Sequence, residues 1–156
     1  MVYSLEDIQW GGSGIEKVVF DFIRERIPEG ATVVELGAGH VSTKALSIFY
    51  ELYSVEHNPE FVGLYKGVNY IYAPTVNGWY DREVLKKNLP ENYDLVLVDG
   101  TSRHLIIENM DLFNHSALFI VHDTYRKEEQ ETAIRLSKDL KRKVRFHTEG
   151  DYWASI

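Results

Sequence analysis

The sequence predicts an α/β fold with a doubly wound, mostly parallel sheet closed by a C-terminal antiparallel β-hairpin. Three observations carry this. Short apolar segments alternate with segments of helical periodicity along most of the chain, which is how a parallel sheet covered on both faces reads. Thr32–Thr43, TVVELGAGHVST, is an apolar strand, a glycine turn and a helix start in that order. That arrangement makes a site for a nucleotide-like ligand. Near the C-terminus, the strand patterns Lys143–Thr148 and Tyr152–Ile156 flank Glu149-Gly150-Asp151, a turn sequence that joins an antiparallel pair.

Residues 1–156 read as a single domain, with 1–14 as an N-terminal lead-in or lid. Gly11, Gly12 and Gly14 follow no strand, so they read as a hinge rather than a phosphate cradle. Ser13 and Glu16 stand at capping-box spacing. Ile15, Val18, Val19, Phe22, Ile23 and Ile27 share one helical face. A helix is therefore predicted over Ile15–Ile27, ended by Pro28-Glu29-Gly30. Thr32–Leu36 is the first strand, and its helix runs from Ser42 to Tyr50. Leu52–Val55 is a second strand ending at Glu56. Asn58-Pro59-Glu60 starts a weak helix interrupted by Gly63 and Gly67, and Asn69–Tyr72 is a third strand. Ala73–Asp81 reads as a loop, and Arg82–Asn88 as a short helix stopped near Pro90. Tyr93–Val98 is apolar almost throughout, as a strand buried on both faces is. Ser102–Leu112 reads as a helix and Ala117–Val121 as a fifth strand. Tyr125–Lys141 reads as a long polar helix capped by Asp123 or Thr124.

Composition bounds the partners. The chain has 156 residues, enough for one domain with a full core. Apolar residues make up 44% and charged residues 26%, ordinary for a soluble globular protein. No apolar run approaches a membrane span, so no membrane partner is expected. There is no cysteine, which excludes disulfides, thiolate metal sites and cysteine nucleophiles. That fits a cytoplasmic setting, as does an N-terminus without the pattern of a secretory signal. A formal charge of −7 argues against nucleic acid as a partner. The one basic cluster, Lys138–Arg145, reads as a solvated helix end or, alternatively, a phosphate-binding patch.

Ligands of open α/β sheets bind at the carboxyl ends of the strands. Here those ends carry Glu35, Glu56, Asp99, His122 and Asp123. Each carboxylate either caps the helix that follows or faces a ligand. Gly37 and Gly39 permit a tight turn and close approach to the backbone. A dinucleotide fingerprint has a third glycine where this chain has Ser42. Glu56 follows Gly37 by 19 residues, close to the spacing of about 20 at which an acidic residue meets the ribose hydroxyls.

These segments resemble class I S-adenosylmethionine-dependent methyltransferases, which have a Rossmann-like fold. Glu35-Leu36-Gly37-Ala38-Gly39 matches their E-x-G-x-G first motif, Tyr53-Ser54-Val55-Glu56 is similar to the second, and Asp94–Gly100, DLVLVDG, to the fourth-strand motif. The resemblance runs from about Ile15 to Ile156 and includes the terminal hairpin. It implies S-adenosyl-L-methionine as cofactor. Gly37, Ala38 and Gly39 would then meet the methionine portion, with Glu35 near its amino group. Glu56 and His57 would lie at the ribose, and Ala73, Pro74 and Thr75 at the adenine, where the family often has a polar residue. Asp99 would border both cofactor and acceptor. Catechol-type and sugar O-methyltransferases of this class hold a divalent metal with carboxylates at the fourth and fifth strand ends. The resemblance accordingly implies Mg or Mn between Asp99 and Asp123, with His122 as a further ligand. Thr124 stands where the catechol group has asparagine.

The predicted activity is methyl transfer to a small-molecule acceptor, at oxygen. Asp99, Asp123, His122 and His104 are the candidate groups for holding the acceptor and removing its proton. A histidine at His104's position is more often a solvated first-turn residue than a general base. Trp10, Trp79, Tyr80 and Tyr125 either face the acceptor or pack locally. Two alternatives remain open: a non-catalytic S-adenosylmethionine-binding module within an assembly, and an NAD(P)-binding oxidoreductase.

Overall fold

The computed structural model describes residues 3–149 and 152–156. Gly150 and Asp151 of the expected turn lie outside the described residues, as do Met1 and Val2 of the lead-in. Helix α1, Lys17–Arg26, precedes strand β1, Thr32–Leu36, and α2, Ser42–Phe49. Strands β2, Glu51–Glu56, and β3, Asn69–Tyr72, follow. A short antiparallel pair comes next, β4, Thr75–Val76, and β5, Trp79–Tyr80, then α3, Arg82–Asn88. The second half holds β6, Leu95–Val98, a run of 3-10 turns over Arg103–Leu112, β7, Leu118–His122, and α4, Lys127–Leu140. Strands β8, Arg145–His147, and β9, Trp153–Ser155, end the chain.

The main sheet has seven strands in the order β3-β2-β1-β6-β7-β9-β8. The first five are parallel, and β9 runs antiparallel between β7 and β8. The predicted parallel sheet and terminal hairpin are both present. Alternation along the central strands explains the layering, because successive side chains point to opposite faces. Leu95 and Leu97 of β6 join the cluster under α1 and α2, while Val96 and Val98 join the cluster under α3 and α4. All four are buried. No helix among the described residues is long and apolar enough to cross a membrane.

Three local expectations are corrected. The Ala73–Asp81 segment is a hairpin, not a loop. Asn77 and Gly78 take φ of 53° and 84°, the paired positive values of a tight two-residue turn. Helix α1 has Glu16 at its N-cap, so Ser13 does not start a capping box. Instead, the Gly11 amide donates to the Ile15 carbonyl at 3.1 Å and the Gly14 amide to the Gly11 carbonyl at 3.2 Å. Arg126, rather than Asp123 or Thr124, caps α4. Asp123 is left-handed, with φ of 62°, and its carboxylate serves the ion network described below.

Trp153 fastens the antiparallel end of the sheet. It is 1% exposed, stacks on His147 at 3.7 Å and meets the Phe22 edge at 4.7 Å. Trp153→Ala is expected to lower unfolding free energy by about 3–5 kcal/mol, read from urea denaturation. A loss near zero would show that the hairpin does not depend on this ring.

Candidate functional site

The strand ends of β1, β2, β6 and β7 bring the candidate residues together. At β1, residues 33 and 35 share the face covered by α2. Ser54 is the in-register neighbour of Glu35 on β2. Glu35 is therefore met from two sides. Its carboxylate accepts from Ser42, from Thr43 Oγ1 at 2.7 Å and from Ser54 Oγ at 2.8 Å. It has no exposed surface. Burial pushes its carboxyl up to about 7, against the opposing pull of the three hydroxyl donors. Glu35 thus sits beneath the glycine turn and ties it to α2 and β2.

The turn is shaped by close approach. Gly37 has φ of 102°, and a Cβ there would lie 2.6 Å from the Gly100 Cα, so no other residue fits. Gly39 differs: a Cβ on it would meet nothing within 4 Å. The amides of the turn are all taken. Gly37 donates to the Val55 carbonyl at 2.8 Å, Ala38 to Glu56 Oε2 at 2.9 Å, and Gly39 to Thr43 Oγ1 at 2.8 Å. Glu56 also accepts from the His57 and Asn58 amides at 2.7 Å each. The His57 ring lies 2.9 Å from the same carboxylate.

At β6 and β7, the structure joins Asp99, His122 and Asp123 and adds a residue that the motif reasoning missed. Arg103 Nη2 donates to Asp99 Oδ1 and to Asp123 Oδ2, each at 2.8 Å. Its Nη1 is 3.9 Å from Glu129 Oε1 on α4. His122 Nδ1 is 2.9 Å from Asp99 Oδ1 and 3.4 Å from Asp123 Oδ1. Burial pulls the His122 imidazole down, but its hydrogen bond to Asp99 and the Asp99 and Asp123 charges outweigh it, and the net shift is upward. His122 Nε2 is buried without a hydrogen-bond partner. The only sequence signal for Arg103 was its spacing of four residues from Asp99, which brings side chains to one side of a helical turn.

Asp99, His122 and Asp123 each offer a donor atom, and the three lie within 4.8 Å of one another. Oxygen and imidazole donors suit Mg or Mn in type. One oxygen of each aspartate, Asp99 Oδ1 and Asp123 Oδ2, however, already holds the Arg103 guanidinium. A metal bound here would have to share both carboxylates with the guanidinium, whose charge opposes a second cation.

Other predicted residues lie as follows. Ala73 is buried, and its amide donates to the Glu56 carbonyl at 2.9 Å. Pro74 and Thr75 are exposed at the start of the β4–β5 hairpin. That hairpin returns Tyr80 to the strand ends, where its hydroxyl packs directly over Gly100. The hydroxyl lies near the Thr101 amide without a well-formed hydrogen bond to it. Burial pushes the Tyr80 phenol upward, and Glu56 and Asp99 add to that. Trp79 packs into the core against Phe113, and Trp10 packs on Phe20. Tyr125 is exposed. His104 pairs with Glu128 of α4 at 2.8 Å, and no ion pair joins it to Asp99, His122 or Asp123.

No protein-family model matches the sequence, and no curated protein does. Solved structures do match in fold. A Staphylococcus aureus protein assigned as a caffeoyl-CoA O-methyltransferase has a TM-score of 0.61 at 15% identity, over 89% of this chain and 80% of that one. MycE, a methyltransferase of the mycinamycin biosynthetic pathway solved with Mg and S-adenosylhomocysteine, has a TM-score of 0.60 at 14% identity. The match covers 94% of this chain and 49% of MycE, so the chain spans about half the length of that protein. Mtq2 of E. cuniculi, solved with Trm112, gives 0.52 at 16% identity, over 94% and 95% of the two chains. The chain shares the Rossmann-like fold of class I methyltransferases.

Glu35 makes stability depend on pH with a defined sign. Its folded value of about 7 lies above the ordinary 4.5, so between these values the folded state holds a proton that the unfolded state has released. Stability from this group is complete below pH 4.5, falls as pH rises to 7 and is level above. The total is about 3 kcal/mol. Glu35→Gln has no such proton to lose. Its unfolding free energy relative to the parent should rise by about 3 kcal/mol across that window. A flat difference would show that Glu35 stays ionised.

Proposed function

We propose that the chain is an S-adenosylmethionine-dependent methyltransferase acting on a small-molecule acceptor, at oxygen. The observation that carries this reading is the state of the glycine turn. A diphosphate needs free amides and a positive field at such a turn. Here the Gly37, Ala38 and Gly39 amides are spent on protein acceptors, and the Glu56 carboxylate stands beside them. That surrounding favours a ligand bearing positive charge and counts against NAD(P). The open space above Gly39 is where a ligand can approach the backbone.

S-adenosylmethionine supplies an already activated methyl group on its sulfonium. The protein then has to bind, orient and deprotonate the acceptor. Glu56, held by three amides, offers its remaining lone pairs to ribose hydroxyls, with His57 beside it. Asp99 holds His122 through Nδ1. This leaves the unpartnered Nε2 as the proton-accepting atom when Nδ1 carries the hydrogen. Arg103, itself anchored on Asp123, holds Asp99 in position. His104 lies apart from this pair and is assigned no proton transfer.

One observation favours a second reading, a non-catalytic module that binds the cofactor within an assembly. The Tyr80 hydroxyl and the Arg103 guanidinium fill the space above β6. Normal cofactor binding with no methyl transfer to any of a broad panel of phenols, sugars and carboxylates would select this reading.

Calorimetry with S-adenosylhomocysteine and NAD separates the cofactor classes. Saturable binding of the first and none of the second is expected. Gly39→Val should leave far-ultraviolet circular dichroism unchanged while weakening S-adenosylhomocysteine by at least about tenfold. Gly37→Ala, by contrast, should fail to fold properly. Absence of S-adenosylhomocysteine binding at millimolar concentration would overturn the proposal.

A further inference from the structure

We propose that Arg103 is the resident cation of the strand-end cluster, and that a divalent metal enters between Asp99 and Asp123 only when Arg103 is absent. The cluster's composition favours a cation. Asp99, Asp123 and Glu129 converge there, and their side chains are 10%, 15% and 7% exposed. Carboxylates so withdrawn from water need hydrogen-bond donors or a positive partner. Arg103 supplies it with a side chain only 12% exposed, reaching two of the three at 2.8 Å and the third at 3.9 Å.

The backbone is bent to make this contact. Ser102 and Asp123 are both left-handed, with φ of 46° and 62°, a conformation that non-glycine residues hold only when their surroundings require it. Ser102 directly precedes Arg103, and Asp123 is one of its two close partners. Both left-handed residues flank the contact in which Arg103 Nη2 donates to Asp123 Oδ2. Arg103 takes Asp99 Oδ1 and Asp123 Oδ2, and its charge beside the remaining oxygens opposes a second cation between the two carboxylates. Arg126 lies 3.9 Å from Asp123 and adds positive charge at the rim. The same pair of carboxylates therefore serves a fixed, monovalent, planar cation in place of an exchangeable divalent one. The guanidinium orients Asp99 and, through it, His122, so Arg103 is a positioning residue.

The inference stands on the geometry of this cluster. Only its bearing on turnover, insensitivity to chelators, rests on the methyl-transfer reading.

The test is direct metal binding, which needs no acceptor and no activity. Mn²⁺ is titrated into the parent and read by loss of the free-ion electron paramagnetic resonance signal. No saturable binding at millimolar Mn²⁺ is expected. Arg103→Met keeps the length of the stem but removes the charge. It should gain one site, at least about tenfold tighter than any parent signal. Adding Asp123→Asn should abolish that gain, and Arg103→Lys should still exclude the ion. Stoichiometric Mn²⁺ binding by the parent that Asp123→Asn removes would overturn the proposal. A folded Arg103→Met variant with no gained site would overturn it too. If Arg103→Met does not fold, the parent titration with and without Asp123→Asn decides alone, since an occupied parent site contradicts a resident guanidinium.

Discussion

Glu35 is a carboxylate with no access to water, and three hydroxyls from α2 and β2 close around it. Much of the site follows from this contact. Thr43, which donates to Glu35, also accepts from the Gly39 amide. The helix start, the glycine turn and two neighbouring strands are thereby tied to one buried group. Loss of any hydroxyl would leave an acceptor unsatisfied where water cannot replace it. Burial and hydroxyl donation oppose each other, and burial dominates, which is why the carboxyl rises to about 7. The turn is thus held from below, so its upper surface need not carry structural contacts. The open space above Gly39 is the consequence.

Moving along the strand ends, the charge problem changes. Glu56 is satisfied by backbone amides, whereas Asp99 and Asp123 share the Arg103 guanidinium. A buried carboxylate can be stabilised by donors, by a neighbouring cation or by protonation. Different solutions occur within one row of strand ends: hydroxyl donors and a raised carboxyl at Glu35, amides at Glu56, and the Arg103 guanidinium at Asp99 and Asp123. Parallel strands end together, so carboxylates at those ends are brought close whatever their distance in sequence.

The sheet was legible because its evidence is local and repeated. Tyr93–Val98 is too apolar to sit anywhere but between two layers, and β6 is buried throughout. The β4–β5 hairpin was missed although Asn77-Gly78 is a strong turn signal. Pro74 and the shortness of each strand hid the pairing, and two-residue strands carry no periodicity to detect. The N-terminal capping box failed for the opposite reason: Ser13 and Glu16 have the right spacing, yet Gly11 and Gly14 already close that turn through the backbone.

The amino-acid pattern by itself determined the parallel sheet, the glycine turn, the acidic strand ends and the closing hairpin. Each depends on neighbours within a few residues or on a period along the chain. Tertiary structure alone decided what each carboxylate does. Ser54 meets Glu35 through strand register, Arg103 meets Asp123 across 20 positions, and Tyr80 reaches Gly100 by way of a hairpin. A charged side chain in sequence reads as solvated by default. Whether it becomes a ligand, a pin or a counter-ion depends on which distant groups burial brings to it, and no local pattern encodes that.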